Sequence, residues 1–238
     1  MTTSARPEHI LAIIPARGGS RGVPRKNIHP LAGRPLLAHT IAHALAARSI
    51  TRLVVSTDDA EIGAIARQNG AEVIWRPAAI SGDTATTESA LLHVLDTLQA
   101  AGGYTPDLVV LLQCTSPLRL PGDIDRAVET LLESGADSLL SVVPFSRFLW
   151  RVGEDGRPQP YNYDYRRRPR RQEYASGLCM ENGSIYVMRP RVLREEHNRL
   201  GGRITCYVMH PLTAVEIDAP EDFALAEAIL AWSWPPEA

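Results

Sequence analysis

A loop rich in glycine and basic residues follows the first apolar segment of the chain. Residues 14–27 read IPARGGSRGVPRKN. Glycines let backbone N–H groups approach an anion closely, and cationic side chains add charge, so this composition suits a triphosphate. The spacing fits neither GxGxxG nor the P-loop motif, and a solvated basic loop is the alternative. The residues that we assign to the phosphates are Arg17, Gly18, Gly19, Ser20, Arg21 and Lys26.

A polar segment, QCTSPLR, occupies residues 113–119 directly after a later apolar run. Gln113 can both donate and accept hydrogen bonds, and Thr115 and Ser116 offer hydroxyl groups. A ligand with several hydroxyl groups needs partners of this kind. We therefore expect these three side chains to bind such a ligand.

Two carboxylates near the end of the sequence, Glu216 and Asp218, are separated by one apolar residue. We expect a strand at residues 214–217, in which alternation would place both carboxylates on one face. Mg²⁺ prefers oxygen ligands, and two carboxylates facing a triphosphate would supply them. The alternative is a strand end that only precedes a helix N-terminus. We predict Asp218 and Glu216 as magnesium ligands.

The elements that must position these residues alternate between strands and helices. Such alternation predicts a parallel sheet covered by helices on both faces and joined by right-handed crossovers. The predicted strands are residues 10–15, 52–56, 71–75, 107–113, 183–188, 205–209 and 214–217, and the predicted helices are residues 35–47, 60–69, 86–101, 122–134 and 220–231.

The pattern changes over residues 144–178, which are rich in aromatic residues and arginine. This stretch is longer than loops usually are inside a compact domain, so we predict a functional segment or an interaction arm within one domain of residues 1–238. Its run RRRPRR, residues 166–171, has three readings. It is a solvated basic strand, a nucleic-acid patch, or part of an arm that lends arginines to a site for polyanions.

Composition narrows the class of protein. Hydrophobic residues make up 45% and charged residues 22%, as in globular proteins, and no apolar run is long enough to span a membrane. The net charge of −2 gives no general support for nucleic-acid binding. Three widely spaced cysteines lack metal-ligand spacing and predict a cytoplasmic protein. His39 and His43 lie four apart but have no third zinc ligand, so we expect packed or surface histidines.

Several segments together resemble the CMP-sialic acid synthetases, also called acylneuraminate cytidylyltransferases. The phosphate loop is similar to their ARGGSKGIPxKN, and further matches follow in order over some 200 residues: STDDAEI, WRPAAISGDTATTESAL, LLQCTSPLR, RPRRQ, MENGSIYV and EIDAPEDF. The resemblance implies a Rossmann-like, three-layer α/β/α nucleotidyltransferase domain with a mostly parallel sheet. It also implies CTP as co-substrate, magnesium dependence, and a homodimer formed partly by the extended arm at residues 144–178.

The resemblance also implies roles for individual residues. One group would hold the cytidine nucleotide, although capping of the next helix is an equal alternative for Ser81 and strand capping an alternative for Arg76. The second group would hold the sugar. The nucleotide group consists of Asn27, Arg76, Ser81, Asp83 and Thr84, and the sugar group adds Arg170, Arg171 and Asn182 to the polar segment.

The expected reaction is transfer of CMP from CTP to an acidic nine-carbon sugar. Three departures from the family pattern stand out: Cys114 where proline is usual, Glu216 where aspartate is usual, and one extra residue between Arg171 and Asn182. They leave a non-catalytic nucleotide-binding homologue as one rival. A cytidylyltransferase for 3-deoxy-manno-octulosonate (KDO) or another acidic sugar is a second rival, although related KDO enzymes carry something like QGDEP at the polar segment.

Overall fold

A central β-sheet organises the computed structural model, which describes residues 7–20, 22–170, 173–174 and 177–232. Within these ranges seven strands form it: β1 (Ile10–Pro15), β2 (Arg52–Thr57), β3 (Glu72–Trp75), β4 (Leu108–Leu112), β5 (Ser138–Pro144), β6 (Cys179–Met188) and β7 (Ile204–Val208). Their order is β7-β5-β6-β4-β1-β2-β3. In the described chain β6 alone runs antiparallel to its neighbours. The predicted mostly parallel sheet is confirmed.

Helices cover both faces of this sheet. They are α1 (Leu36–Ala46), α2 (Ala60–Gln68), α3 (Thr87–Gly102), α4 (Asp123–Ser134), α5 (Pro190–Glu196) and α6 (Pro220–Ala231). Helices α1, α2, α4 and α6 contribute to one apolar cluster, and α3 and α5 contribute to the other. Alternate residues of β1 show why: Ala12 and Ile14 join the first cluster, whereas Leu11 and Ile13 join the second. The three-layer α/β/α architecture is thereby confirmed.

Short turns and a small hairpin complete the core. The 3-10 turns are Lys26–Ile28, Ala78–Ile80, Tyr165–Arg167 and Pro211–Ala214, and the hairpin pairs Pro30–Leu31 with Arg34–Pro35. Side chains cap the N-termini of α2 and α3. The Asp59 carboxylate accepts hydrogen bonds from the first turn of α2, and the Thr86 hydroxyl accepts one from Ser89 N in α3.

The strand expected at residues 214–217 does not form. Pro211–Ala214 instead make a 3-10 turn, whose threonine donates from both its backbone N–H and its hydroxyl to the His210 carbonyl. Pro211 has no backbone N–H to donate to a neighbouring strand, and the hydrogen bonds of Thr213 within the turn take the place of strand pairing. The expectation that strand alternation places Glu216 and Asp218 on one face is therefore wrong. Helix α5, which was not predicted, begins at a proline in its first turn.

The arm at residues 144–178 extends the ends of β5 and β6. It contains a second small hairpin, in which Trp150–Val152 pairs with Pro158–Pro160. Its aromatic side chains pack on one another; the Phe148 and Tyr163 rings lie 4.4 Å apart between centroids. These local contacts explain why the segment shows no helical period.

Among the described residues, no helix is both long and apolar enough to cross a membrane.

We predict that Asp125 stabilises the fold far from the carboxyl ends of the strands. Its buried carboxylate accepts hydrogen bonds from Arg48 N at 3.2 Å and Ser49 N at 2.8 Å. Asp125→Ala should lower the free energy of unfolding by about 1–3 kcal/mol, because it leaves these donors without an acceptor. Urea unfolding measures the change, and Glu129→Ala, an exposed site one turn along α4, is the control.

The same variant gives a pH test. Burial alone would raise the pKa of Asp125, but hydrogen bonds from Ser49 and Arg48 outweigh burial and lower it. A lowered pKa in the folded state means that the ionised carboxylate contributes stability above the ordinary Asp pKa of about 3.9. The stability difference between wild type and Asp125→Ala should shrink as the pH falls below that value. A difference that stays constant down to the folded-state pKa would contradict this account.

Candidate active site

A cavity of about 400 Å³ opens at the carboxyl edge of the sheet. Open α/β sheets bind ligands at this edge, because loops from several strands converge there. The loop after β1, the loop before α3, the segment after β4 and the segment before α6 all contribute. The lining residues are Pro15, Arg17, Ser20, Gly22, Lys26, Asn27, Arg76, Ala85, Thr86, Thr87, Gln113, Cys114, Thr115 and Asp218.

The loop after β1 is held in place by its own side chains and by β2. The Asn27 amide donates to the Arg17 carbonyl at 3.0 Å, and Gly18 N donates to Asp58 Oδ1 at 3.0 Å. Gly19 faces open space, with nothing within 4 Å of an added Cβ. At Gly19 the loop therefore presents its backbone with little steric cover. Arg21 was also predicted here, but it lies outside the described residues.

Arg17 connects this loop to the loop before α3. Its Nη1 donates to the Gly82 carbonyl at 2.7 Å, and its Nη2 lies 3.6 Å from Asp83 Oδ1. Ser81 and Thr84 do not line the cavity; the Ser81 hydroxyl donates to the Pro77 carbonyl. The sequence analysis missed two cavity residues, Thr86 and Thr87. Thr86 had a signal, because a threonine often caps the helical pattern that follows it, whereas Thr87 is already the first residue of α3.

Lys26 links the loop to the segment before α6. Its Nζ donates to the Ile217 carbonyl at 2.6 Å and to Asp218 Oδ1 at 3.0 Å. The Lys26 side chain is 12% exposed and that of Asp218 is 72% exposed, so the ion pair lies at the cavity wall. Lys26 is also the only lysine in the 238-residue sequence, beside 24 arginines.

A glycine permits this close approach. A Cβ added at Gly22 would overlap the carbonyl oxygen of Asp218. The loop and the segment before α6 therefore touch through backbone as well as through the ion pair.

Arg76 forms the inner wall next to β2. Its side chain is buried, with Nε donating to Ser56 Oγ at 3.2 Å and Nη2 donating to the Ser56 carbonyl at 2.9 Å. Burial lowers the pKa of Arg76, while the nearby Asp58 opposes the change. The guanidinium is thus a fixed cation at the end of the cavity.

Gln113 and Thr115 line the opposite end, as predicted for the polar segment. Ser116 and Asn182 lie behind this wall rather than in it. The Ser116 hydroxyl donates to the Asn182 carbonyl at 2.9 Å, and both residues are buried. The Asn182 amide is held by Ser141 and other core groups.

Glu216 approaches this end of the cavity. Thr115 Oγ1 donates to Glu216 Oε1 at 3.3 Å. Partial desolvation, and secondly the negative charge of Asp218, raise the pKa of Glu216. A Cβ added at Gly183, where φ is +62°, would lie 3.2 Å from Glu216 Oε1 and 3.3 Å from Gln113 Oε1. Glycine at this position lets the polar groups converge.

Other predicted residues are not brought to the cavity. Arg170 is exposed on the arm, and Arg171 lies outside the described residues. His39 and His43 pack on α1, where burial lowers the pKa of His43 to about 3. No group of three or more His, Cys, Asp or Glu side chains in the described chain is arranged to hold a metal ion.

Comparison with known proteins places this site in a family context. The cytidylyltransferase family model matches residues 11–230. N-acylneuraminate cytidylyltransferase A of Danio rerio is 37% identical over 227 residues, which cover 93% of this chain and 51% of that protein. The chain therefore spans about half the length of this curated relative. CMP-N,N'-diacetyllegionaminic acid synthase of Legionella pneumophila subsp. pneumophila is 36% identical over 233 residues, covering 93% of this chain and 96% of that protein.

A solved structure shares the fold. CMP:2-keto-3-deoxy-manno-octonic acid synthetase complexed with CTP superposes with a TM-score of 0.67 at 18% identity, covering 94% of this chain and 99% of that one. The family model spans nearly the whole sequence, and the Legionella relative matches over almost its full length. The chain belongs to the cytidylyltransferase family that includes the acylneuraminate cytidylyltransferases, or CMP-sialic acid synthetases.

Proposed function

We propose that this protein transfers CMP from CTP to a sialic-acid-type nonulosonic acid and releases pyrophosphate. The observation that carries the proposal is the cavity in which the glycine-rich basic loop faces the polar segment that begins at Gln113. A triphosphate and a polyhydroxylated acid need these two kinds of wall side by side. Membership of the cytidylyltransferase family supports the same reaction.

The sugar's C2 hydroxyl attacks the α-phosphorus of CTP, the bond to the bridging oxygen of the β-phosphate breaks, and pyrophosphate leaves. Such transfers need positioning and charge stabilisation more than covalent chemistry. Arg17 and Lys26 line the cavity and stabilise the leaving pyrophosphate in this proposal, with Arg21 as a third candidate. Burial raises the pKa of Cys114 to about 12, so its thiol is not a nucleophile. We assign no general base.

The nucleotide occupies the end of the cavity near Arg76 and Asn27. The N-terminus of α3 also faces this end through Thr87, and a helix N-terminus favours negative charge. Gly18, Gly19 and Ser20 offer backbone donors in the loop. Residues 81–84 act in this proposal by holding Arg17 rather than through a hydroxyl contact to the base.

The acidic sugar occupies the end near Gln113 and Thr115. Both side chains line the cavity and supply the donors and acceptors that sugar hydroxyls require. Ser116 and Asn182 support this wall from behind, because the Ser116 hydroxyl is already bonded to the Asn182 carbonyl.

We propose Mg²⁺ as the metal. Asp218 exposes a carboxylate at the cavity, and the pKa of the nearby Glu216 is raised by partial desolvation and, secondly, by the negative charge of Asp218, so these two carboxylates would favour a bound cation. Mg²⁺ is commonly held by one or two carboxylates plus substrate phosphates, so the donor set fits. When bound, the metal neutralises phosphate charge and lowers the pKa of a coordinated hydroxyl.

Two rivals remain to be separated by experiment: a cytidylyltransferase for KDO or another acidic sugar, and a non-catalytic nucleotide-binding homologue. Purified protein with CTP and Mg²⁺ should be offered N-acetylneuraminate, its deaminated form, a legionaminate and KDO in parallel. Pyrophosphate release with a nine-carbon acid, together with the CMP-sugar detected by mass, supports the proposal. Preference for KDO would favour the first rival, and no product with any acid would favour the second.

We further propose that the chain works as one nucleotidyltransferase domain in a cytoplasmic homodimer. Residues 144–178 contain eight arginines and four acidic residues, whereas the whole chain has a net charge of −2. The arm is therefore basic and the remainder acidic, which favours docking of the arm on a second copy. Trp150 and Tyr161 are 46% and 60% exposed on it. Docking would bring Arg170 and Arg171 towards the partner's sugar site.

The three free thiols suit a reducing compartment, which supports the proposed cytoplasmic location.

Removing the charge of Lys26 should impair the use of CTP. Lys26→Met keeps an apolar stem of similar length but loses a charged donor at the cavity wall. We expect kcat/KM for CTP to fall at least about tenfold, or ~1.4 kcal/mol. Arg48→Met, which removes a cation that is 90% exposed, is the control for net charge. Equal steady-state constants for wild type and Lys26→Met would contradict the assignment of this loop to the triphosphate.

The metal assignment predicts that Asp218→Asn lowers turnover at least about tenfold, because a neutral amide cannot replace an anionic ligand of the metal. Glu216→Asp should be milder, since it restores the carboxylate that is usual in the family. A magnesium titration of turnover measures both. Glu221→Gln, which removes an exposed charge in the first turn of α6, is the matched control. Wild-type activity of Asp218→Asn at every magnesium concentration would make this carboxylate structural.

The dimer proposal predicts that a charge on the arm hairpin weakens association. Val152→Glu changes a residue that is 67% exposed, so folding of each copy should be preserved. Sedimentation at micromolar concentration should show a dimer for the wild type and a shift towards monomer for the variant. Leu225→Glu, at a site 52% exposed on α6, should leave the dimer intact. A fully active wild-type monomer would rule the arm interface out.

A further inference from the structure

Arg119 is the largest fully buried side chain of the described residues, at 1% exposure. Within those residues no carboxylate lies in ion-pair contact with its guanidinium. Burial lowers the pKa of Arg119 to about 10, which still leaves it protonated at neutral pH. Burying a charge without an ionic partner is unfavourable, so its hydrogen bonds must offset that cost.

Those hydrogen bonds join three elements. The Arg119 Nη2 donates to the Gln113 carbonyl at 2.8 Å and to the Ser184 carbonyl at 2.9 Å. Its Nη1 donates to Thr40 Oγ1 of α1 at 3.3 Å. Gln113 directly follows β4, and Ser184 lies where β6 departs from regular pairing with β5, between Glu181 and Tyr186. One guanidinium therefore joins the end of β4 to the irregular part of the neighbouring strand β6.

The register explains why an arginine is needed there. The antiparallel pairing of β4 with β6 includes Leu112 opposite Ile185, and the next pair would be Gln113 with Ser184. The carbonyls of that next pair both accept from Arg119. The hydrogen bonds of the guanidinium thus continue the connection beyond the last backbone pair of β4 and β6. They set the separation of Gln113 and Ser184.

These segments form the polar end of the cavity. Gly183, next to Ser184, lies so close that an added Cβ would be 3.3 Å from Gln113 Oε1 and 3.2 Å from Glu216 Oε1. Neither Arg17 nor Lys26, at the phosphate end, hydrogen-bonds to Arg119 among the described contacts. A change at Arg119 should consequently act mainly on the polar end of the cavity.

We infer that Arg119 is a positioning residue for the acidic sugar: it fixes Gln113 and the bulge at residues 183–184 and has no part in holding CTP. This inference rests on the proposed function. Arg119→Lys keeps the charge but replaces the planar fork, in which Nη2 faces the two carbonyls and Nη1 faces Thr40, by a single nitrogen on a shorter side chain. We expect the KM for N-acetylneuraminate to rise about tenfold, the scale of one lost hydrogen bond to a charged group. The dissociation constant of CTP should stay unchanged.

Two controls separate positioning from general stability. Thr40→Val removes only the α1 partner, so it should lower the thermal midpoint without changing the KM for the acid. Arg119→Ala should be rescued by added methylguanidinium, for which an adjoining cavity of about 250 Å³, lined in part by His43 and Leu120, gives access. Rescue should restore the KM for the acid.

A folded Arg119→Lys with a wild-type KM for the acid, or with equal losses for acid and CTP, would overturn the inference. If no Arg119 variant folds, the native protein labelled with ¹⁵N-arginine decides. Adding N-acetylneuraminate to the CDP-loaded chain should shift the Arg119 Nη signals, and unmoved signals on saturation would refute the role. A wild type that turns over no acid overturns the proposed function and this inference together, whereas an active wild type confines any failure to Arg119.

Discussion

The contact of Lys26 with the Ile217 carbonyl and the Asp218 carboxylate is the interaction on which the site depends. It joins residues 191 and 192 positions apart in sequence, at 2.6 and 3.0 Å. Gly22 reinforces it, because any larger residue would push the loop away from the Asp218 backbone. The contact brings the basic loop and the carboxylates to one cavity, where cation and anion balance each other before any ligand binds.

The parallel sheet explains why so distant residues meet. Strands β1, β2, β3 and β4 run in the same direction, so the segments that follow them emerge at one edge. The phosphate loop follows β1, Arg76 follows β3, and Gln113 follows β4. The antiparallel strand β6 departs from this rule and enters the same edge from the other direction, bringing Gly183 beside Gln113. The polar end of the cavity thus combines the segment after the parallel strand β4 with the antiparallel strand β6.

Local pattern was enough to predict most of the fold. Residues 10–15 are apolar without interruption, and β1 has the same bounds, because a strand buried on both faces needs no polar positions. Residues 214–217 look equally strand-like, yet Pro211 and the threonine of the turn fold them differently. Alternation in a short segment cannot reveal a competing turn.

The sequence predicted the site less completely than the fold, because the site depends on tertiary packing. Gln113, Thr115, Lys26 and Asp218 were predicted from their residue types and spacing, and all four line the cavity. Burial depends on tertiary packing, so sequence could not show that Asn182 lies behind the wall. Arg119 is a second residue whose burial the sequence could not show. An arginine in a short polar motif suggests contact with solvent or ligand, whereas Arg119 is buried and hydrogen-bonds to backbone carbonyls of two segments.

The central claim, that Lys26 and Asp218 meet at the triphosphate site, can be tested on the unmutated chain. Reductive methylation with ¹³C-formaldehyde keeps the charge of Lys26 and, since no other lysine exists, yields one side-chain dimethylamine signal beside that of the α-amine. The account predicts that CTP with Mg²⁺ shifts the Lys26 signal saturably, at the concentration at which calorimetry detects binding. A Lys26 signal that stays in place while CTP binds would contradict it.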